Sequence, residues 1–170
     1  AQAGRLVRFL HDEAGLRGNE DDYYDPRNSY LNEVLDRRKG IPITLSLVYT
    51  EIGRRVGLPV FGVAFPGHFL VKYVGGGEEI LVDAFHGRII GLDECKERLR
   101  AAYGETAQFD PRLLRPAAPK EIVVRMLRNL KHIFLQREDW DRALLWCDRI
   151  LIVTPDSPAD LRDRGVLYQR

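Results

Sequence analysis

Apolar side chains recur with a period of 34 residues over about the last fifty positions of the chain. With Val124 as the first position of a unit, apolar or small residues fall at positions 4, 7, 11, 20, 24 and 27, and a proline falls at position 32. These residues are Leu127, Leu130, Phe134, Ala143, Cys147, Ile150 and Pro155. A second unit starts at Pro158 and has Leu161, Gly165 and Tyr168 at positions 4, 8 and 11. A fixed period of this length predicts stacked helical hairpins.

This pattern resembles the tetratricopeptide repeat, and the resemblance implies that residues 120–170 form an all-α segment that binds a protein or peptide partner. The second unit stops at Arg170, in the middle of a predicted helix. One and a half units do not bury their own apolar faces. We therefore expect the second repeat to be truncated and the native chain to continue beyond this residue. An unrelated helical hairpin is the alternative interpretation.

In residues 1–104 the hydrophobic periodicity changes from helical to strand-like near Pro59. Apolar residues at helical spacing first predict three helices. These are expected at 4–14, from a cap at Asn28 or Ser29 to Gly40, and from Pro42 to Gly57. Runs rich in Val, Ile and Phe then predict an antiparallel meander. Its strands are expected at 59–65, 68–74 and 79–85, with a glycine turn at 75–77, and they are followed by a helix over 92–103 and a proline-containing linker over 105–119.

The helix predicted at 42–57 has two faces of different character. One face is an apolar stripe made of Ile41, Leu45, Val48, Ile52 and Val56. The second face holds only small residues, which are Ser46, Thr50, Gly53 and Gly57. Another element of the fold can therefore pack closely against this second face.

The charge balance and the cysteine content exclude several classes of protein. The 26 Lys and Arg residues and the 25 Asp and Glu residues give a net charge of +1, whereas nucleic-acid binders usually have a basic excess. No apolar run approaches the roughly 20 residues that a membrane span needs. Cys95 and Cys147 lie far apart without metal-ligand spacing, which favours a reduced, cytoplasmic location. We expect no nucleic-acid partner, no membrane and no cofactor; the oligomeric state stays open.

Three features that can carry chemistry follow one another along the chain. A predicted helix opens at Gly-Ile-Pro (40–42), a predicted strand carries Gly-His-Phe (67–69), and the next strand carries Asp83. This order resembles the core of the transglutaminase-like superfamily, which has a papain-like arrangement of helices on a small antiparallel sheet. The chain resembles the bacterial SirB-type family more closely, because in that family such a core precedes tetratricopeptide repeats. The shared segments are Asn-Ser-Tyr-Leu at 28–31, Arg-Arg-Lys-Gly-Ile-Pro at 37–42 and Phe-Pro-Gly-His-Phe-Leu at 65–70.

The resemblance implies an α+β domain over residues 1–104 and a site built from a cysteine, a histidine and an aspartate. A cysteine at a helix N-terminus has its thiolate stabilised by the helix dipole, a histidine takes its proton, and an aspartate orients the imidazole. By this resemblance His68 matches the general base and Asp83 matches the orienting carboxylate. Pro42 occupies the position of the nucleophile. Proline offers no nucleophile and no proton, so we do not expect cysteine-based covalent chemistry.

Other residues of the chain are candidate nucleophiles or candidate metal ligands. Thr44 and Ser46 lie on the same predicted helix, although Ser46 belongs to its small face, while both cysteines are expected to be small buried apolar residues. His68, Asp83 and His86 also form a possible set of metal ligands, to which the acidic loop at 20–25 could add oxygens. No pair in this set shows a diagnostic ligand spacing, so the metal site is the weaker alternative.

Two functional hypotheses follow from the sequence, beside metal-dependent hydrolysis at His68 and His86 as a third. The first is a non-catalytic binding or scaffolding protein with a degenerate cleft around Pro42, His68 and Asp83, whose repeats dock a protein partner. The alternative is a hydrolase or acyl-transferase in which His68 and Asp83 activate a water molecule or Ser46. The identity of the ligand is not encoded in any feature of the sequence.

Overall fold

The computed structural model describes residues 2–170 and confirms the α+β class and the all-α character of the last segment. The helices are α1 (Gln2–Val7, continued by a π-helix at Arg8–Glu13), α2 (Leu31–Arg37), α3 (Pro42–Arg55), α4 (Leu92–Tyr103), α5 (Pro119–Gln136), α6 (Trp140–Val153) and α7 (Pro158–Leu167). The strands are β1 (Arg17–Gly18), β2 (Lys39–Gly40), β3 (Val60–Val63), β4 (Leu70–Gly75), β5 (Glu78–Asp83) and β6 (Arg88–Ile90). Short 3-10 helices lie at Pro26–Ser29 and Pro111–Leu114.

The predicted meander is confirmed as an antiparallel sheet of order β3-β4-β5-β6. Gly76 and Gly77 form the tight turn between β4 and β5, where both have a positive φ that favours glycine. The strand β6 was not predicted, because it contains only three residues. The prediction that His68 lies on a strand is wrong. The turn at Pro66 and Gly67 keeps the chain out of the sheet, and β4 starts two residues after His68.

The segment before α3 differs from the prediction in its helix ends. Neither Asn28 nor Ser29 caps α2, because both are buried in the preceding 3-10 helix and Tyr30 occupies the N-cap position. The helix ends at Arg37, and the next residue, Arg38, adopts a left-handed conformation with φ of 56°. Gly40 instead pairs in parallel with Gly18, which joins the start of α3 to the loop that follows α1.

The helix α3 lies at the centre of the first unit, where Leu45, Val48 and Tyr49 pack in one core with α1 and the sheet. The predicted close packing on its small face is confirmed at Gly53, whose α-carbon faces the side chains of Val60 and Leu6. The apolar stripe is interrupted at its end, since Val56 follows the last turn of the helix and is 65% exposed.

Residues 105–119, predicted to be a linker, pack along the sheet. Leu114 is buried with Phe65, Leu70 and Leu99, and the backbone N–H of Ala117 donates to the carbonyl of Gly62 at 2.8 Å. This segment therefore guides the chain across the edge strand β3 and delivers α5 beside the start of α3. The domain boundaries at residues 104 and 119 stay predictions.

The predicted helical hairpin is confirmed by α5 and α6, with α7 packed beside them. Its core contains Leu130, Phe134, Ala143, Trp146, Cys147, Leu151 and Leu167. Cys95 and Cys147 are both buried, as predicted, and burial raises the pKa of each thiol. Among residues 2–170, no helix has the length and apolar character that a membrane crossing requires.

The contact between Gly53 and Val60 gives a stability test with a matched control. A β-carbon at Gly53 would lie 2.4 Å from a methyl group of Val60, whereas one at Gly165 in α7 would meet no heavy atom within 4 Å. We expect Gly53→Ala to lower the free energy of unfolding by about 1–3 kcal/mol through overpacking. Gly165→Ala is expected to raise it by up to about 1 kcal/mol, because alanine is the better helix former. Urea unfolding of the two variants would contradict this packing if both were stabilised alike.

Candidate functional site

The site lies where the loop between β3 and β4 meets the end of β5. Val71 pairs with Val82, so the start of β4 lies beside the last residues of β5. His68, two residues before β4, therefore reaches Asp83, the last residue of β5, and its Nε2 atom lies 3.0 Å from Oδ1. The predicted contact between these two residues is confirmed. Their role in chemistry stays a prediction.

The carboxylate of Asp83 is the most heavily bonded group of this site. Its side chain is fully buried, and five donors from three segments of the chain surround it. Oδ1 accepts from His68 Nε2 and from the backbone N–H groups of Phe85 and His86, while Oδ2 accepts from His86 Nδ1 at 2.8 Å and from Arg98 Nη2 at 2.6 Å. Because an ionised carboxylate only accepts, both imidazole nitrogens act as donors here.

Burial and hydrogen bonding act in opposite directions on this carboxyl group. Burial alone would raise the pKa of Asp83, but the hydrogen bonds from His68, His86 and Arg98 outweigh it and hold the pKa far below its ordinary value. Asp83 is therefore a permanent anion whose charge is shared between a guanidinium and two imidazoles. The negative charge of Asp83 therefore stabilises the positive charge of any one of these partners only in part.

The structure brings together the three residues of the metal alternative, since one ligand atom from each of His68, Asp83 and His86 lies within 4.8 Å of the others. Their geometry fits hydrogen bonding better than metal binding, because the two imidazole nitrogens donate directly to Asp83 and the Arg98 cation lies against the same carboxylate. The acidic loop at 20–25 adds few oxygen atoms to this set of possible ligands. Only Glu20 approaches, at 3.9 Å from His86 Nε2, and Asp25 is buried against Arg27 and Arg37.

A cleft of about 150 Å³ lies beside His68, with the first residue of α3 in its wall. It is lined by Tyr23, Ile41, Pro42, Ile43, Gly67, His68, Phe69, Arg125 and Asn129. Since His68 uses Nε2 to bind Asp83, its Nδ1 atom is the nitrogen left for a ligand. No group among residues 2–170 forms a hydrogen bond to it.

The hydroxyl groups of α3 do not line this cleft. Thr44 is fully buried, and its hydroxyl donates to the carbonyl of Asn28 at 2.8 Å and accepts from the N–H of Ile41 at 3.1 Å. Ser46 is also fully buried, and its hydroxyl donates to the carbonyl of Phe69 at 3.4 Å. Both hydroxyls therefore tie neighbouring segments to α3 and are not placed to attack a ligand in the cleft.

The helix α5 of the repeat segment forms one side of the cleft, which was not predicted from the sequence. Arg125 donates from Nη1 to the carbonyl of Phe65 at 3.0 Å and from Nη2 to the carbonyl of His68 at 2.7 Å. Ile122 and Met126 on the same helix pack against the start of α3. The helical period of α5 gave no signal for this contact, because its partners lie about sixty residues earlier in the chain.

A strap at residues 19–25 covers another side of the cleft through Tyr23. Asn28 is fully buried and holds the strap by donating to the carbonyls of Asp22 and Tyr23. Arg137, just after α5, donates to the carbonyl of Tyr24 at 3.2 Å. The strap therefore links the first unit to the repeat helices. Burial raises the pKa of Tyr23, so its hydroxyl remains a neutral donor in the cleft.

Two family models match this chain, one for each of its two parts. Residues 1–128 match the family model described as the transglutaminase-like superfamily, and residues 130–170 match that of the tetratricopeptide repeat. The first match includes most of α5, the helix that forms one side of the cleft. No solved structure gave a significant match.

Similar proteins come from bacteria and from mammals. A UPF0162 protein of Xylella fastidiosa (strain Temecula1) is 45% identical over 165 residues, which are 95% of this chain and 59% of that protein. A UPF0162 protein of Vibrio cholerae is 34% identical over 166 residues, which cover 97% of this chain and 62% of that protein. F-box only protein 21 of Homo sapiens is 45% identical over 96 residues, or 51% of this chain and 15% of that protein. The chain thus spans about three-fifths of the length of these bacterial relatives.

The lowered pKa of Asp83 predicts how its contribution to stability depends on pH. Because the folded pKa lies below the unfolded value of about 3.9, the contribution is complete above that value and is lost as the pH falls below it. We expect Asp83→Asn to lower the free energy of unfolding by about 2–4 kcal/mol at pH values of about 5 and above. Urea unfolding at about pH 3 should show a smaller difference from the wild type.

The control for this measurement is Asp36→Asn. Asp36 is exposed on α2 and forms no ion pair with any other residue in the range 2–170, so its replacement should change the unfolding free energy by less than about 0.5 kcal/mol. A difference between wild type and Asp83→Asn that is unchanged or larger at low pH would contradict the ionised, hydrogen-bonded state of Asp83.

Proposed function

We propose that this chain, which belongs to the transglutaminase-like superfamily, is a non-catalytic module that binds a peptide segment of a protein partner in the cleft beside His68. The observation that carries the proposal is the residue at the start of α3. From the resemblance to the superfamily we expect the nucleophilic cysteine there, and this sequence has Pro42, which lines the cleft together with His68. A proline side chain offers a ligand an apolar contact and no reactive atom.

No other nucleophile of the described chain takes the place of a cysteine in this proposal. Thr44 and Ser46 are buried and bonded to backbone carbonyls. Cys95 and Cys147 are buried, and burial raises the pKa of both thiols, which keeps them protonated and unreactive. Cys147 also donates to the carbonyl of Asp160 within the repeat core.

The electrostatics of Asp83 also favour binding over catalysis. In a proton-transfer dyad the carboxylate stabilises the imidazolium that forms when histidine accepts a proton. Here the guanidinium of Arg98 lies 2.6 Å from the same carboxylate and already compensates part of its charge. Asp83 therefore stabilises a positive His68 less than a carboxylate without such a partner would, and the contact acts mainly to fix the ring.

The lining of the cleft suits a segment of polypeptide. Its exposed lining is mainly polar and comes from Tyr23, His68, Arg125 and Asn129, while apolar side chains such as that of Pro42 complete the wall. Polar groups of this kind can hydrogen-bond the backbone of a peptide and fix its orientation. The adjacent tetratricopeptide repeat supports a protein-interaction role. The similarity to a short part of F-box only protein 21 supports a module that operates within larger proteins.

The proposal includes a cytoplasmic location and no nucleic-acid partner. Both cysteines are free, which suits a reducing compartment. The net charge of +1 shows no overall basic excess of the kind that is usual in nucleic-acid binders.

The second candidate function is hydrolysis or acyl transfer with a water molecule as the attacking group. The free Nδ1 atom of His68 favours it, because this nitrogen could accept a proton from a water in the cleft. A general base of this kind accelerates a reaction by roughly 100-fold to 10,000-fold. The two functions therefore differ in whether a rate depends on His68.

A selection from a peptide library tests the binding function. Phage-displayed peptides selected on the wild-type chain should lose at least about tenfold in affinity for Asn129→Trp, because the indole fills a cleft of about 150 Å³. The matched control is Asn32→Trp on α2, where Asn32 is exposed and outside the cleft. Fluorescence anisotropy of the synthetic peptides gives the affinities. Selected peptides that bind Asn129→Trp and wild type equally well, or the failure to select any, would contradict a binding cleft at this place.

A further inference from the structure

A second depression runs along α5 next to the cleft, and its lining is rich in basic side chains. Its volume is about 590 Å³. We call it the α5 groove, and it is lined by Arg115, Ala118, Lys120, Glu121, Val124, Arg125, Arg128 and Thr154. Four of these eight residues are basic and one is acidic, although the whole chain is almost neutral. Positive charge is therefore concentrated in this groove.

Two of the four basic residues have acidic partners within the protein. Arg115 pairs with Glu121, and Arg128 lies 2.6 Å from Asp160 at the start of α7. Lys120 and Arg125 form no ion pair with any residue in the range 2–170. The α5 groove therefore keeps two positive charges that the chain itself does not neutralise.

Arg125 is the less usual of these two cations because it is partly buried. Its guanidinium uses two of its five N–H donors on the carbonyls of Phe65 and His68, and it lies 5.5 Å from the centre of the Phe69 ring. All of these partners are neutral, and burial lowers the pKa of Arg125. A buried charge without a counter-charge is unfavourable, and an anion that pairs with it relieves this penalty.

Arg125 also connects the two depressions, since it lines both the α5 groove and the cleft beside His68. A ligand that enters the cleft and continues along α5 passes over this guanidinium and then reaches Lys120. Val124 lies between the two cations in the sequence. Its apolar side chain also lines the groove.

From this arrangement we infer that the α5 groove binds carboxylate groups of the partner peptide, with Arg125 and Lys120 as the two cationic contacts. The inference rests on the proposed binding function and specifies the chemistry of its ligand, an acidic peptide. The carboxylates belong either to acidic side chains or to the C-terminus of the peptide. Arg125 acts at the junction, where one carboxylate contacts the cation that also holds the His68 loop.

The experiment measures the anisotropy of fluorescein-labelled hexapeptides with the full 170-residue chain. Three probes distinguish the sources of the carboxylate: hexaglutamate with an amidated C-terminus, hexaglutamine with a free C-terminus, and hexaglutamine with an amidated C-terminus. We expect at least one carboxylate-bearing probe to bind at least about tenfold more tightly than the amidated hexaglutamine. Raising the salt concentration from about 0.05 M to about 0.5 M should weaken that binding, because the charges are near the surface.

Two variants connect the binding to the groove. Lys120 is exposed and unpaired, so Lys120→Glu should leave the fold intact while it weakens binding of the acidic probe by at least about threefold. The matched control is Arg5→Glu, which makes the same change in net charge at an exposed residue of α1 outside the groove. Arg125→Gln should weaken binding further. If Arg125→Gln is unstable on thermal unfolding, the comparison of Lys120→Glu with Arg5→Glu shows by itself whether the acidic probe binds in the groove.

The inference is overturned if the amidated hexaglutamine binds as tightly as both carboxylate-bearing probes, or if Lys120→Glu and Arg5→Glu have equal effects. It is also overturned if a single-stranded oligonucleotide binds the groove more tightly than hexaglutamate, since the ligand would then be a phosphate chain. The cleft is tested separately. Peptides that lose affinity for Asn129→Trp but not for Lys120→Glu would leave the binding function in place and remove only the role of the carboxylate.

Discussion

The buried carboxylate of Asp83 is the constraint on which the rest of the site depends. A buried anion is tolerated only when donors surround it, and here they come from the β3–β4 loop, the β5–β6 turn and the helix α4. By accepting from His68 Nε2, the carboxylate also determines that Nδ1 is the ring nitrogen left for a ligand. The carboxylate that fixes the His68 ring also accepts from Arg98. Its main role is therefore to hold these segments together, and not to assist a proton transfer.

The second constraint is the docking of α5, which joins the two parts of the chain into one binding surface. Ile122 and Met126 cover the start of α3, while Arg125 holds the carbonyls of the loop that carries His68. A repeat helix usually presents its free face to a ligand, but one face of α5 is occupied by the transglutaminase-like domain. The cleft and the α5 groove meet at Arg125, so a partner peptide would contact both parts of the chain at once.

The sequence predicted those elements whose ends carry local signals. Pro42 marks the start of α3, the glycines at 75–77 mark a hairpin, and the 34-residue period predicted the hairpin of α5 and α6. The contact between His68 and Asp83 could be predicted because neighbouring antiparallel strands bring their ends together, even though His68 proved to lie in a loop. Arg98 and Arg125 were missed, because each reaches the site from a helix whose own pattern describes only an ordinary surface position. Such contacts depend on how distant segments pack, and local periodicity carries no information on that.

In the function proposed here, His68 takes part in binding and not in a chemical step. The most direct measurement is the rate of p-nitrophenyl acetate hydrolysis by the wild-type chain and by His68→Ala, with the folded state of both confirmed by circular dichroism. This ester is activated enough to report any base-assisted attack by water or by a side chain. If His68 only binds, both proteins hydrolyse the ester at the same rate, close to that of buffer. A wild-type rate that falls by roughly 100-fold or more in His68→Ala would contradict it, because a loss of that size is typical of a general base.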